Sequence, residues 1–220
     1  MKIVEDLKAK LENASPEVAK AWEQTKGGAC WFQVEPVSNT LYFQKFGKVY
    51  KKMYEIYQMC NQICWEGQLP ICIIEIPRKF TMRNAYAYFQ AYVLYHNGRR
   101  YHKISFQRQT FDSRLELWLE VLLHEMVHVW QSTPLNHEDT IFPYRHGKVF
   151  WDEAKRIGIG NCIYDFIEEN SLAAQVLHEI SCRYPSIEDE LLELIKTNIQ
   201  HNPCDDVNFF VEQYIPTFSN

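Results

Sequence analysis

The sequence predicts an α+β fold, a small antiparallel or mixed sheet packed against two helices, and three features predict it. Leu115 to Gln131 repeats apolar residues at helical spacing. Residues 84–95 and 99–107 are aromatic-rich runs on either side of His96-Asn97-Gly98. Asn-Gly is a strong hairpin signal, because both central positions of the tight turn need positive φ, so the two runs should pair antiparallel. Ile71-Cys72-Ile73-Ile74 is short, apolar and β-branched, as a buried strand would be.

Composition sets the outer limits. The chain has 220 residues, 46% hydrophobic and 15% aromatic, with 23 Lys+Arg against 28 Asp+Glu. That excludes a disordered chain and allows one full domain with an appendage. No run approaches the ~18 consecutive apolar residues of a membrane span. The start, MKIVEDLKAKLENASPE, is charged where a signal peptide has an apolar core, so a cytoplasmic protein is expected. The seven cysteines (Cys30, Cys60, Cys64, Cys72, Cys162, Cys182, Cys204) include no CxxC pair. Reduced, mostly buried thiols are expected, and neither a disulfide framework nor a zinc ribbon.

The elements follow in chain order. Residues 1–26 read as polar helices, with Ser15-Pro16 as N-cap and first-turn proline and Gly27-Gly28 as the stop. Residues 40–64 carry Leu41, Phe43, Phe46, Val49, Tyr50, Met53, Ile56, Tyr57, Cys60 and Ile63 at three- and four-residue steps, a helix with a core-facing stripe. Asp112 or Ser113 is available to cap the helix that starts at Leu115. A loop with Pro134 and Pro143 leads to a second helix from about His146 to Ile157. Helices are expected at about 162–182 and 186–199. Residues 161–220 hold eleven acids and two bases, whereas residues 1–160 hold twenty-one bases and seventeen acids. The break, near Gly158-Ile159-Gly160, predicts a domain edge there, and the chain is expected to comprise an N-terminal helical extension (1–39), a central domain (40–160) and an acidic helical extension (161–220).

The chemistry is concentrated at His124-Glu125-Met126-Val127-His128, an HExxH motif inside LELWLEVLLHEMVHVWQ. At 3.6 residues per turn, positions i and i+4 lie about 40° apart, so His124 and His128 present two imidazoles to one metal ion. Glu125 is rotated about 100° from His124, where it can act as general base on a water that the metal acidifies. The apolar flanks Val121, Leu122, Met126 and Val129 bury such a helix, and a dry core has little use for two histidines and a glutamate within one turn. A catalytic zinc has three protein ligands and an open position, so a third ligand lies downstream. A metzincin would continue with Gly at 131 and His at 134, but the chain has Gln131 and Pro134. Three residues remain as third ligand: His146, at the start of the next helix, is preferred, with Glu153 and His137 behind it.

HEMVHVWQ followed by HGKVFWDEAKRIG resembles the SprT-like zinc metallopeptidases, the group that includes the Spartan DNA-protein crosslink proteases. The resemblance spans residues 40–160, from the helix before Gly67-Gln68-Leu69-Pro70 through the hairpin ending Ile104-Ser105-Phe106 to the His-Gly-x-x-Phe helix. It implies a zincin-like minimal metallopeptidase fold, one zinc ion on His124, His128 and His146, and Glu125 as catalytic base. It also implies protein substrates bound or crosslinked to DNA. Relatives often carry a C-terminal zinc ribbon, whereas residues 161–220 are acidic and lack paired cysteines.

Residues 77–111 contain seven cations (Arg78, Lys79, Arg83, Arg99, Arg100, Lys103, Arg108), nine aromatics and no acid. Cations among rings suit single-stranded DNA, although aromatics are also ordinary strand residues with a core to fill. Tyr144 and Arg145 are placed to stabilise an oxyanion beside the metal. Two rival readings stand: a zinc amidohydrolase such as a deformylase, whose Glu-Gly-Cys-Leu setting this chain lacks, and a non-catalytic adaptor that uses zinc for folding.

Overall fold

The computed structural model describes residues 41–77, 85–96, 99–133, 146–160 and 167–196. The N-terminal extension, Arg78, Lys79, Arg83, His137, Tyr144 and Arg145 lie outside these residues. Five helices and three strands are described: α1 (Leu41–Trp65), β1 (Cys72–Glu75), β2 (Ala87–His96), β3 (Arg99–Phe106), α2 (Leu115–Gln131), α3 (Lys148–Ile157), α4 (Leu172–Arg183) and α5 (Ile187–Lys196), with a 3-10 turn at Arg108–Asp112. This is the α+β class, and no described helix is long and apolar enough to cross a membrane.

Helix α1 buries Tyr50, Met53, Tyr54, Tyr57, Cys60 and Cys64 at helical spacing. It stops where Glu66 and Gly67 take positive φ, 55° and 75°. The side chain of Asn61 then holds the exit by both its groups, Nδ2 donating to the Leu69 carbonyl (2.9 Å) and Oδ1 accepting from the Leu69 amide (3.0 Å). Two tyrosines of α1 seat the first strand: Tyr57 donates to the Pro70 carbonyl at 2.6 Å, and Tyr54 accepts from the Ile74 amide at 2.9 Å. An edge that would otherwise expose strand amides is thereby covered.

The sheet is mixed, in the order β1-β3-β2. β1 runs parallel to β3, with Cys72 opposite His102 and Ile74 opposite Ile104. β2 runs antiparallel to β3, with Phe89 opposite Ile104, and the register closes on His96 opposite Arg99, leaving the two-residue connection that Asn-Gly favours. A register shift between Gln90 and Leu94 interrupts the ladder.

Helix α2 has the predicted bounds and is buried on nearly every side, between β2, α3, α4 and the 3-10 turn. Its cap departs from expectation. Neither Asp112 nor Ser113 is the cap; Arg114 holds that position with no side-chain cap bond, and the Leu115 amide donates at 2.6 Å to Glu188 Oε1 of α5. Helix α3 begins at Lys148, two residues later than expected, with Gly147 extended before it. It ends at Gly158, φ 87°, where an added Cβ would lie 2.0 Å from Ser171 Cβ. Ser171 in turn caps α4, its side chain accepting from the Ala174 amide.

The charge break near Gly158 is not a break in packing. Helices α4 and α5 bury Ala173, Val176, Ile180, Ile187, Leu191 and Leu194 in the same core as α1 and α2. Lys52 Nζ pairs with both carboxylate oxygens of Glu190 at 2.6 and 2.7 Å, and Tyr184 donates to Glu55. Glu188, Asp189 and Glu193 are exposed on amphipathic α5, so composition changes while the core continues. Cys60, Cys64 and Cys72 are buried free thiols, whereas Cys182 is a free thiol at the surface.

Candidate metal centre

Helix α2 presents His124 and His128 on its face toward α3, and His146 arrives on the extended residues just before α3. The Nε2 of His146 lies 2.9 Å from Nε2 of His124 and 3.0 Å from Nε2 of His128. The Phe150 ring packs against all three imidazoles, at centroid distances of 4.7, 4.6 and 4.7 Å, and closes the cluster from the α3 side. Trp151 flanks His146 at 5.6 Å. His124 and His128 are buried, and His146 is the exposed member.

The donor chemistry fits a cation. Both close contacts end on the same His146 nitrogen, and one proton there can serve only one of them. Protons are also disfavoured: burial, then the two neighbouring histidines, lower the His124 pKa to about 3, and burial lowers that of His146. A divalent ion at the centre satisfies all three nitrogens. Tetrahedral zinc with Zn–N of ~2.0–2.1 Å separates its ligand nitrogens by about 3.3 Å, within a few tenths of an ångström of the two separations from His146, and all three donor atoms lie within 4.8 Å of one another. Among the described residues these three form the one His/Cys/Asp/Glu group of metal-binding geometry.

Glu125 lies on the same turn and is 5% exposed. Burial raises its pKa to about 8, an effect partly offset by a hydrogen bond from the Phe89 amide of β2. The sheet therefore orients the glutamate, which the spacing of the motif does not reveal.

Glu153 has a different role from the ligand role considered for it. Its Oε1 accepts from Trp65 Nε1 and from Arg156, both at 2.7 Å, and its Oε2 accepts from Arg156 Nε at 2.9 Å. Arg156 also donates to the Cys64 carbonyl at 2.7 Å. This clamp fixes α3 to the end of α1 and so helps to hold His146 against α2.

The predicted cations divide. Lys103 pairs with Glu75 at 2.8 Å, and the same Glu75 oxygen accepts from Ser105. Arg108 donates to the Ile195 carbonyl at the end of α5. Arg99 and Arg100 open β3, and their side chains lie outside the described part. Of the aromatics, Phe89, Tyr101, Phe106 and Phe111 are buried, whereas Tyr86 and Tyr88 are half-buried. Sequence reasoning did not single out Gln131, whose Oε1 lies 2.9 Å from His128 Nδ1; its position three residues beyond His128 is the one signal the sequence offered.

Two histidines of α2 and a third just before α3 form a group that could hold a metal ion, and with the buried glutamate beside them they match the ligand set of a possible metal-dependent enzyme. The chain matches the SprT-like family over residues 53–178, more than half its length, and belongs to that family. The match runs past the composition break into α4. Comparisons with curated proteins and with solved structures returned no match.

Proposed function

We propose that the protein is a zinc-dependent metallopeptidase of zincin-like fold that hydrolyses peptide bonds in protein substrates. The observation that carries the reading is the convergence of three imidazole nitrogens beside a buried, proton-avid glutamate. Zinc on His124, His128 and His146 would supply Lewis acidity, polarising the scissile carbonyl and acidifying water.

The chain's own residues supply the rest. The Glu125 carboxylate, aimed by the Phe89 amide, takes the proton of the attacking water and passes it to the leaving amine. Burial raises its proton affinity, which suits that exchange near neutral pH. Phe150 excludes water behind the imidazoles and keeps their planes fixed. Tyr144 and Arg145 directly precede His146 and are proposed to offset oxyanion charge.

Proteins bound or crosslinked to single-stranded DNA are the substrate class we propose. Lys103 and Arg108 already have internal partners, so DNA contact rests on Arg78, Lys79, Arg83, Arg99 and Arg100. The decisive experiment incubates zinc-loaded protein with a basic DNA-binding protein, with and without single-stranded DNA, beside Glu125→Gln. Cleavage by the parent and none by the variant supports the peptidase, and dependence on DNA supports the substrate class. Metal-loaded parent protein inert under all conditions favours the adaptor reading.

A further inference from the structure

We infer that Gln131 is a positioning residue for the metal centre, its carboxamide oxygen holding the Nδ1–H of His128 and thereby committing Nε2 to the cluster. The inference rests on the proposed metal site. Gln131 is the last residue of α2, 6% exposed, with Oε1 2.9 Å from His128 Nδ1. A carboxamide oxygen only accepts, so the proton in this contact belongs to the histidine. Neutral imidazole carries one N–H, and with that proton on Nδ1 the lone pair is on Nε2, the atom 3.0 Å from His146 Nε2.

The contact also fixes the ring's orientation. A half-turn about the Cβ–Cγ bond exchanges Nδ1 with Cδ2 and Nε2 with Cε1. Gln131 would then face a C–H, and so would the cluster. Phe150, 4.6 Å from the His128 ring at 37°, packs against the ring in its present plane.

Ending the helix does not require Gln131. The last turn is closed by Ser132, whose hydroxyl donates to the Val129 carbonyl and whose amide donates to that of His128, and by Thr133, whose hydroxyl donates to Trp130. The Gln131 oxygen is directed to the histidine instead. The acceptor is a neutral amide, so it orients the ligand without adding the negative charge that a carboxylate in this position would bring.

The test is metal affinity, measured by competition with a chromophoric chelator, together with the visible spectrum of the cobalt-loaded protein and histidine 15N–1H spectra of the metal-free protein. Gln131→Leu should lower affinity about 10–100-fold, change the cobalt spectrum and lose the Nδ1–H signature of His128, while the far-ultraviolet circular dichroism is unchanged. Gln131→Glu, which keeps the acceptor, should bind at least as tightly as the parent. If the leucine variant fails to fold, Gln131→Met, unbranched and of similar length, poses the same question. A folded Leu or Met variant that matches the parent in affinity and spectrum overturns the role of Gln131 and leaves the metal site intact. A parent protein that binds no metal overturns both.

Discussion

Two buried glutamates, one on each helix of the site, mark two regions with opposite electrostatics. Glu153 sits at the junction of α1 and α3, where an indole N–H and a guanidinium satisfy its carboxylate. Glu125 sits between α2 and β2 with one backbone amide for its charge, and burial raises its pKa to about 8. Both positions exclude water, but only the first compensates the carboxylate from within the described chain. A compensated carboxylate is inert and holds helices together. An under-compensated one keeps a raised proton affinity, which the proposed general base would use, and is a stability cost that the fold carries beside the candidate metal centre.

The largest expected effect comes from Glu125→Gln. Hydrolysis should fall by at least about 10²–10⁴, measured as the turnover of zinc-loaded protein. The same change should stabilise the metal-free protein at pH 7. With a folded pKa near 8 against 4.5 unfolded, the native carboxyl keeps a proton that the unfolded chain releases, so ionisation favours unfolding as pH rises from 4.5 towards 8. Gln removes that penalty, about 1–3 kcal/mol at pH 7 by urea denaturation in chelator. No gain in stability would show that Glu125 is compensated after all.

Glu153→Gln should act in the opposite direction, costing about 2–4 kcal/mol, because Arg156 and the Trp65 indole lose a charged acceptor. Urea denaturation of the metal-free protein reads this too, and equal signs for the two glutamates would break the contrast.

His102 extends the comparison to a buried base. Burial lowers its pKa to about 3 from 6.5, so between these values the unfolded chain binds the extra proton and stability falls as pH drops. His102→Phe should reduce the slope of stability against pH, measured from 6.5 to 5, by about 1 kcal/mol per pH unit on average. An unchanged slope would mean that His102 does not carry this acid sensitivity.

The smallest effect belongs to Glu188→Gln, which weakens the cap of α2 and its favourable charge at the helix N-terminus. A loss of about 0.5–1 kcal/mol is expected, with faster amide exchange at Leu115. Unchanged exchange would show that the contact contributes nothing to the helix end.

Which parts were legible follows from the range of the forces involved. Helix α2 was readable to the residue because its periodicity and flanks are local, and β2 and β3 were readable because an Asn-Gly pair between two aromatic-rich runs is a local hairpin signal. The cap on α2 was not readable, since its carboxylate comes from 73 residues away and displaced the nearer Asp112 and Ser113. The break in charge at Gly158 suggested a domain edge, but charge reports the solvent face of α4 and α5, and only packing reports the other face.

The sequence by itself determined that two histidines and a glutamate share one turn of a buried helix, because helical spacing dictates which residues lie together. It left His146, Glu153 and His137 as third-ligand candidates, since each follows the motif at a plausible distance. Tertiary structure decided where the described candidates went: His146 reaches the cluster, while Glu153 turns away to Arg156 and Trp65. It also decided that Lys103 faces Glu75 and that Phe89 aims Glu125. Such pairings depend on which elements pack together, and no local pattern encodes the partner of a side chain that meets it across the fold.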